Sequence, residues 1–590
     1  MARSKIEFAL GRHEAAVTRR LKQWRSEHFT RRLWDKDPAL WTQKSAAEIE
    51  NRLGWLDLPS RARNETETWN RLAREIVDEG ITDVVLLGMG GSSLAPEVFA
   101  SILGDNGPTV PTGAAPVTAA TIATAAAAAA GIPRRAAGAA RAPRFHLCDT
   151  THPAAISTLE SEITHDRTVF VVSSKSGTTI ETISLFRYFF ARIARLASGR
   201  GEPGRHFIAV TDPGTPLETL AQERTFRSIV HGDPNVGGRF SALSAFGLLP
   251  ACIAGIDPAR LLPAAAEMER ICGPGIPEDA NPALRLGAAL GELALAGLDK
   301  ITFLASQSLR ALPIWIEQLI AESSGKDGKG MLPIVCERAS APDSYSKDRV
   351  FVHNALADEE NVTHNAILRS VEARGFPVVR ITLGTGDDLG AEMYRWEIAT
   401  AAACAAIGVH PFNQPDVEGA KRLAREAMER AREKSPETPS GDFAPDPAKD
   451  PASTKRELDG LLSGRRPGDY IAVQAYLGPS REIADLLQAV RMRLNQLTQL
   501  PVTTGFGPRY LHSTGQFHKG GPNRGIFLQL VDEPAVDLPI PESGHTFADL
   551  IRAQSAGDWQ ALKSLGRRAL RFNLGADPRD GLKALLHILE

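Results

Sequence analysis

Thr168-Val169-Phe170-Val171-Val172-Ser173-Ser174-Lys175-Ser176-Gly177-Thr178-Thr179-Ile180 is the stretch whose reading decides the fold. Thr168 to Val172 are β-branched or aromatic and carry no charge, the form of a strand buried on both faces. The run then breaks into small hydroxyl residues and a glycine, and helical spacing starts at Ile180. Upstream, Val84-Val85-Leu86-Leu87 enters Gly88-Met89-Gly90-Gly91-Ser92-Ser93 in the same way, with helical spacing from Leu94 to Leu103. Phe145-His146-Leu147 and Phe207 to Val210 read as further strands. Strands alternating with helices predict a parallel, doubly wound sheet with right-handed crossovers.

Further along, Ile301 to Leu304 and Val378 to Leu383 read as strands, and Ile314 to Ala321 and Ala391 to Ile407 as helices. This partial echo predicts a second subdomain of the same kind. The expected fold class is therefore α/β: two doubly wound parallel-sheet subdomains at 76–284 and 285–434. Residues 1–75, where charge mixes with spaced Leu21, Trp24, Phe29, Leu33 and Trp34, read as a helical cap. Residues 104–143 read as a surface insertion: Ala125 to Ala130 are consecutive, while Pro108, Pro111, Pro116 and Pro133 forbid one long helix. The Pro- and charge-rich stretch 435–455 reads as a linker. A small α/β extension follows at 456–590, with strands Tyr470 to Leu477 and Gly525 to Val531, a helix at 480–496, and a mostly helical end from 545.

Composition narrows the function classes. The 590 residues are 43% hydrophobic and 23% charged, which suits a folded globular chain and excludes a rod or a wholly disordered one. Lys+Arg 68 against Asp+Glu 70 leave a net charge of -2, so no global field calls for nucleic acid or an anionic membrane. An anionic ligand would have to be held by local geometry. Cys148, Cys252, Cys272, Cys336 and Cys404 are scattered, form no CxxC pair and fit no metal spacing, so a reducing cytoplasm is expected and a zinc site is not. No signal peptide or membrane span is expected.

The chemistry concentrates in short motifs. Ser174-Lys175-Ser176-Gly177-Thr178-Thr179 stands where a strand turns into a helix, so free N–H groups, the positive dipole end and hydroxyl donors converge as a phosphate cradle. The plainer reading is an ordinary N-cap. Gly88-Met89-Gly90-Gly91-Ser92 lacks the third glycine of a dinucleotide fingerprint and better suits close approach to a sugar. In Gly237-Gly238-Arg239-Phe240-Ser241 a guanidinium beside two glycines could hold a developing oxyanion; a structural turn is the alternative. In Gln318-Leu319-Ile320-Ala321-Glu322-Ser323-Ser324-Gly325-Lys326 a carboxylate ends an apolar helix.

In this order, with Phe412-Asn413-Gln414-Pro415-Asp416-Val417-Glu418-Gly419-Ala420-Lys421 as a fifth signature, the motifs resemble the glucose-6-phosphate isomerase family of the SIS superfamily over roughly 80–425. The cap and the tail look most similar to the isomerase portion of bifunctional transaldolase/glucose-6-phosphate isomerases, although no transaldolase barrel is found. The resemblance implies an aldose–ketose isomerase passing through a cis-enediolate, without metal or redox cofactor, and a homodimer. It implies Glu322 as base and Arg239 as enediolate stabiliser, with Lys421 and a histidine opening the ring. Ser174, Lys175, Ser176 and Thr179 would bind phosphate, Gly91, Ser92 and Gly238 would line the sugar, and Gln414 would touch the phosphate or the chain. The histidine stays open. His353 and His364 lie in the family's usual interval but in no motif. The polar loop Tyr510 to Asn523 looks like a displaced active-site loop and favours His518, then His512. A mannose-6-phosphate or dual-specificity isomerase, and a non-catalytic sugar-phosphate sensor, are the competing readings. The cap shows no recognition helix for a DNA-binding sensor.

Overall fold

The computed structural model describes residues 4–42, 48–104, 142–196, 202–416, 419 and 443–590. Most of the expected insertion, 105–141, and the Lys421 position lie outside the described residues.

The edge strand β1, Lys5–Ala9, belongs to the second sheet and is taken up there. The first sheet consists of β2 Asp83–Gly88, β3 Arg144–Cys148, β4 Thr168–Ser173, β5 Phe207–Thr211 and β6 Ser228–His231. It is wholly parallel, in the order β3-β2-β4-β5-β6. β2 and β4 are buried at every residue. Helices cover both faces, which is why their sequences run apolar without alternation.

In the second sheet β7 Lys300–Ala305, β8 Leu332–Ile334, β9 Arg349–Leu356 and β10 Val378–Leu383 are parallel. Its order is β1-β10-β9-β7-β8, and β1 runs antiparallel to β10. This corrects the all-helical reading of 1–75. Lys5-Ile6-Glu7-Phe8-Ala9 alternates with a period of two, and its partner lies far off in the sequence. The rest of the cap is helical, as in Glu14–Ser26 and Thr66–Asp78, and packs its tryptophans inward: Trp55 stacks on Phe240 with centroids 5.0 Å apart.

The third sheet is built from β11 Tyr470–Tyr476, β12 Val502–Phe506, β13 Gly525–Val531 and, after a small antiparallel pair β14 Pro539–Ile540 and β15 His545–Thr546, β16 Arg568–Asn573. Its order is β12-β11-β13-β16, parallel throughout. The end of the chain is mostly helical as expected, with β16 set between the helices Phe547–Ser564 and Pro578–Leu589. The linker is also shorter than read. The helix Pro451–Ser463 begins with proline in its first turn and Asp450 accepting from Ser453 N at 3.1 Å, while Ala444 N already bonds Arg571 O at 2.8 Å.

This third unit wedges against both others. Tyr470, Ala472, Phe517 and Phe527 share an apolar cluster with Ala321, Leu332 and Ile334 of the second subdomain. Ile540, Phe547 and Leu550 join the helices over the first sheet. The three units thus meet where the C-terminal ends of β2 and β4 face the end of the helix Leu312–Ser324.

Candidate active site

The glycine turn after β2 is the hub. Gly90 has φ +54, a conformation that favours glycine, and a Cβ there would lie 2.8 Å from Gln318 Nε2 and 3.0 Å from His512 Cβ. At Gly91 a Cβ would sit 2.1 Å from the Gly238 carbonyl oxygen. Side chains of any size would push these segments apart. The two glycine motifs, read separately in the sequence, touch.

That contact delivers Arg239. The side chain is 4% exposed and spends its donors in one place. Nε donates to Ser323 Oγ at 2.9 Å, and Nη2 to the carbonyls of Pro411 at 2.5 Å and Asn413 at 3.0 Å. Nη1 donates to Gln414 Oε1 at 3.2 Å and meets Glu322 Oε1 at 3.0 Å. Glu322 is 7% exposed, and its second oxygen accepts from Gln318 Nε2 at 3.1 Å. Gln318 and Glu322 are four apart on the helix Leu312–Ser324 and so share a face. Three of the expected residues, Glu322, Arg239 and Gln414, are thereby brought into one group.

His512 joins from the third unit. Its carbonyl accepts from Gln318 Nε2 at 2.8 Å, and its Nε2 lies 3.0 Å from Glu181 Oε1. The same Glu181 oxygen accepts from Gln554 Nε2 at 2.9 Å, whose Oε1 accepts from Thr151 Oγ1 at 2.7 Å. Sequence reasoning missed Glu181 and Gln318. The signal for each was position: Glu181 follows the hydroxyl motif by two residues, and Gln318 precedes Glu322 by one helical turn.

His518, the histidine preferred in the sequence, sits apart from this group. It is 3% exposed, with Nδ1 3.0 Å from Tyr470 Oη and its ring against those of Tyr470 and Phe527 at 5.7 and 5.3 Å. Burial, then the nearby Lys519 and Arg567 charges, push it well below the usual histidine range, which keeps the ring neutral inside an aromatic box. His353 sits in β9 against His364, centroids 5.4 Å apart, and burial pushes its pKa down to about 4. Both lie with the second sheet, outside the Glu322 group.

The hydroxyl turn leads directly into the helix Ile180–Leu196. Ser174 is buried and donates to Thr179 Oγ1 at 3.0 Å. Ser176 is exposed, its Oγ 2.9 Å from Thr178 Oγ1, and Gly177 takes φ +67. Lys175 departs from expectation. Its ammonium binds the Asp212 carboxylate and donates to Asp233 O at 2.9 Å, tying the cradle to the loops after β5 and β6. Burial pushes the lysine below and the aspartate above their ordinary ranges. Ser92 is buried one residue beyond the Gly91–Gly238 contact. Among the described residues no cluster of three or more His, Cys, Asp or Glu side chains could hold a metal, and no helix is long and apolar enough to cross a membrane.

The chain is similar to known proteins in both sequence and fold. A family profile described as phosphoglucose isomerase matches residues 138–332. The glucose-6-phosphate isomerase of Rubrobacter xylanophilus is 29% identical over 433 residues, covering 65% of this chain and 90% of that protein. A probable glucose-6-phosphate isomerase of Halobacterium salinarum is 30% identical over 330 residues, 50% of this chain and 75% of its own length. In fold, the chain is similar to a glucose-6-phosphate isomerase from Chlamydia trachomatis, with TM-score 0.51 and 16% identity over 73% of this chain and 89% of that one. It is also similar to a hypothetical protein of Thermus thermophilus, with TM-score 0.56 and 24% identity over 72% of this chain and 100% of that one. The chain is a member of a sugar-phosphate isomerase class built on paired parallel sheets; it belongs to the phosphoglucose isomerase family.

Proposed function

We propose that the protein interconverts glucose 6-phosphate and fructose 6-phosphate through a cis-enediolate, with Glu322 as the proton-transfer base. The observation that supports the proposal is the buried Glu322–Arg239 pair at 3.0 Å, set beside the two glycine turns that pack against each other. The hydroxyl turn 174–179 grips the phosphate with N–H groups and hydroxyls, so binding far from the reacting carbons becomes orientation at them. Gly91, Ser92 and Gly238 line the sugar. His512 donates Nε2–H to Glu181, which leaves Nδ1 with the lone pair for ring opening, assisted by Lys421.

Glu322 then takes the proton from C2 of the open aldose and returns it to C1. As it does so the carboxylate loses its charge and the enediolate oxygen gains one. Arg239 faces one anion before the step and one after it, so its own bonds to Ser323, Pro411 and Asn413 need not change. Lys175 acts in this reading by holding the cradle through Asp212 rather than by touching phosphate.

A homodimer in the cytoplasm, with cap and tail like the isomerase portion of transaldolase/isomerase fusions, completes the proposal. The cysteines are thiols rather than disulfides, in keeping with a reducing compartment. The decisive test is Glu322→Gln, assayed with fructose 6-phosphate and mannose 6-phosphate in the presence of a chelator. A folded variant should lose on the order of 10²–10⁴ in kcat with fructose 6-phosphate. Near-normal turnover would end the assignment, and faster wild-type turnover of mannose 6-phosphate would change the substrate.

A further inference from the structure

We propose that Arg509 is a positioning residue: its ion pairs to Glu97 and Asp149 seat the turn that carries His512 against the glycine turn of the first subdomain. The inference rests on the reading of His512 as the ring-opening group. Arg509 and His512 are the first and last residues of one turn of 3-10 helix, Arg509–His512. Arg509 Nη1 donates to Asp149 Oδ2 at 2.5 Å, and Nη2 to Glu97 Oε2. The three residues are 8%, 0% and 6% exposed.

Where the partners come from is the point. Glu97 lies on the helix Leu94–Leu103, whose first turn is the continuation of Gly90-Gly91-Ser92-Ser93; Glu97 N bonds Ser93 O at 3.1 Å. Asp149 directly follows β3, beside β2. Arg509 therefore fixes the third unit to the two elements that frame the glycine turn. The next residue pulls the other way: Tyr510 Oη donates to Asp558 Oδ2 at 2.5 Å, and Asp558 also pairs with Lys519 at 2.5 Å, both within the third unit. The His512 turn is thus held from both sides, and Arg509 is its grip on the first subdomain.

Stability alone is a weak reason for such a cluster. Two carboxylates and one guanidinium out of water lose most of their attraction to desolvation, and well-packed apolar side chains would serve as well. What the forked guanidinium adds is direction: two carboxylates at fixed angles define one orientation of the turn. Lysine, a point charge, cannot do this.

The test is a double-mutant cycle in the full-length chain between Arg509→Met and His512→Gln, read by kcat and KM for fructose 6-phosphate, with Arg509→Lys alongside. A small misplacement of a reacting group costs on the order of 10–10² in rate. Arg509→Met and Arg509→Lys should each lower kcat by about that factor and leave KM within about threefold, since the cradle 174–179 is untouched. In the His512→Gln background the further loss should be under about threefold. If His512→Gln is impaired while Arg509→Met multiplies that loss in full, or costs nothing, the positioning role is overturned. If His512→Gln turns over normally, the histidine reading itself fails and takes this inference with it. Should Arg509→Met not fold, Glu97→Gln, which cuts one ion pair and keeps the other, takes its place in the cycle with the same outcomes.

Discussion

Arg239 binds five oxygens with three nitrogens, and the only charged one among them is Glu322. The neutral four hold the guanidinium still while the charge beside it moves, which is the preorganisation that electrostatic catalysis needs. The arrangement depends on Gly91, because the carbonyl it would strike belongs to Gly238, the residue before Arg239. Gly91→Ala should therefore push the Arg239 turn outward. The contact is backbone against Cβ, so no flexible side chain can yield. We expect a loss of at least about 2 kcal/mol in urea unfolding, with a larger fractional loss in kcat than in KM. An unchanged unfolding midpoint would mean that the turns do not touch.

At the level of the element, the first sheet carries its own pH response. Asp83 begins β2 and is fully buried. Burial works to raise its pKa, but donors from His146 Nε2 at 2.8 Å, Arg144 at 2.7 Å and Thr82 Oγ1 at 2.9 Å outweigh it and bring it down to about 2. A depressed carboxyl stabilises the fold above the unfolded-state value near 4 and loses that contribution as pH falls through about 2. Asp83→Asn should be less stable than the parent by roughly 2 kcal/mol at pH 7, and the gap should narrow below about pH 4. Denaturant titrations at about pH 7, 5 and 3.5 check this; a gap independent of pH would remove the electrostatic account.

Elements also set how far the sequence could be read. β2, β4, β5 and β13 announced themselves because both faces are covered and the strands run apolar. β9 is buried at every residue yet holds Arg349, His353 and Asn354. Its arginine is held by Thr302 at 2.8 Å and Glu337 at 2.6 Å, partners invisible to local reading. β8, Leu332-Pro333-Ile334, tolerates its proline because it lies at the sheet edge. The site divides in the same way. Glu322, Arg239 and Gln414 were legible because each sits in a short motif. A preference between the histidines was not: His512 and His518 share a loop, and the contact that favours His512 in the proposed function is with Glu181, 331 residues away.

For the whole molecule, the proposed site asks one small anion to bridge three units. With a net charge of -2 the chain offers no bulk attraction, so affinity has to come from the converging turns. Binding should therefore lock the units together. A non-turnover sugar phosphate at about a hundred times its Kd should add roughly 2.7 kcal/mol of stability. Hydrogen exchange should slow at 174–179, at 88–93 and in the loop 509–520 alike. Protection confined to the first sheet would mean that the third unit takes no part in the site.

The antiparallel pairing of Lys5–Ala9 with β10 has a consequence for synthesis. Lys5 meets Thr382, so at ribosomal speeds of about 5–20 residues per second this strand waits on the order of tens of seconds for its neighbour to exist. Throughout that interval Ile6 and Phe8 must resist sticking to anything else. The flanking Lys5 and Glu7 charges are suited to guard them.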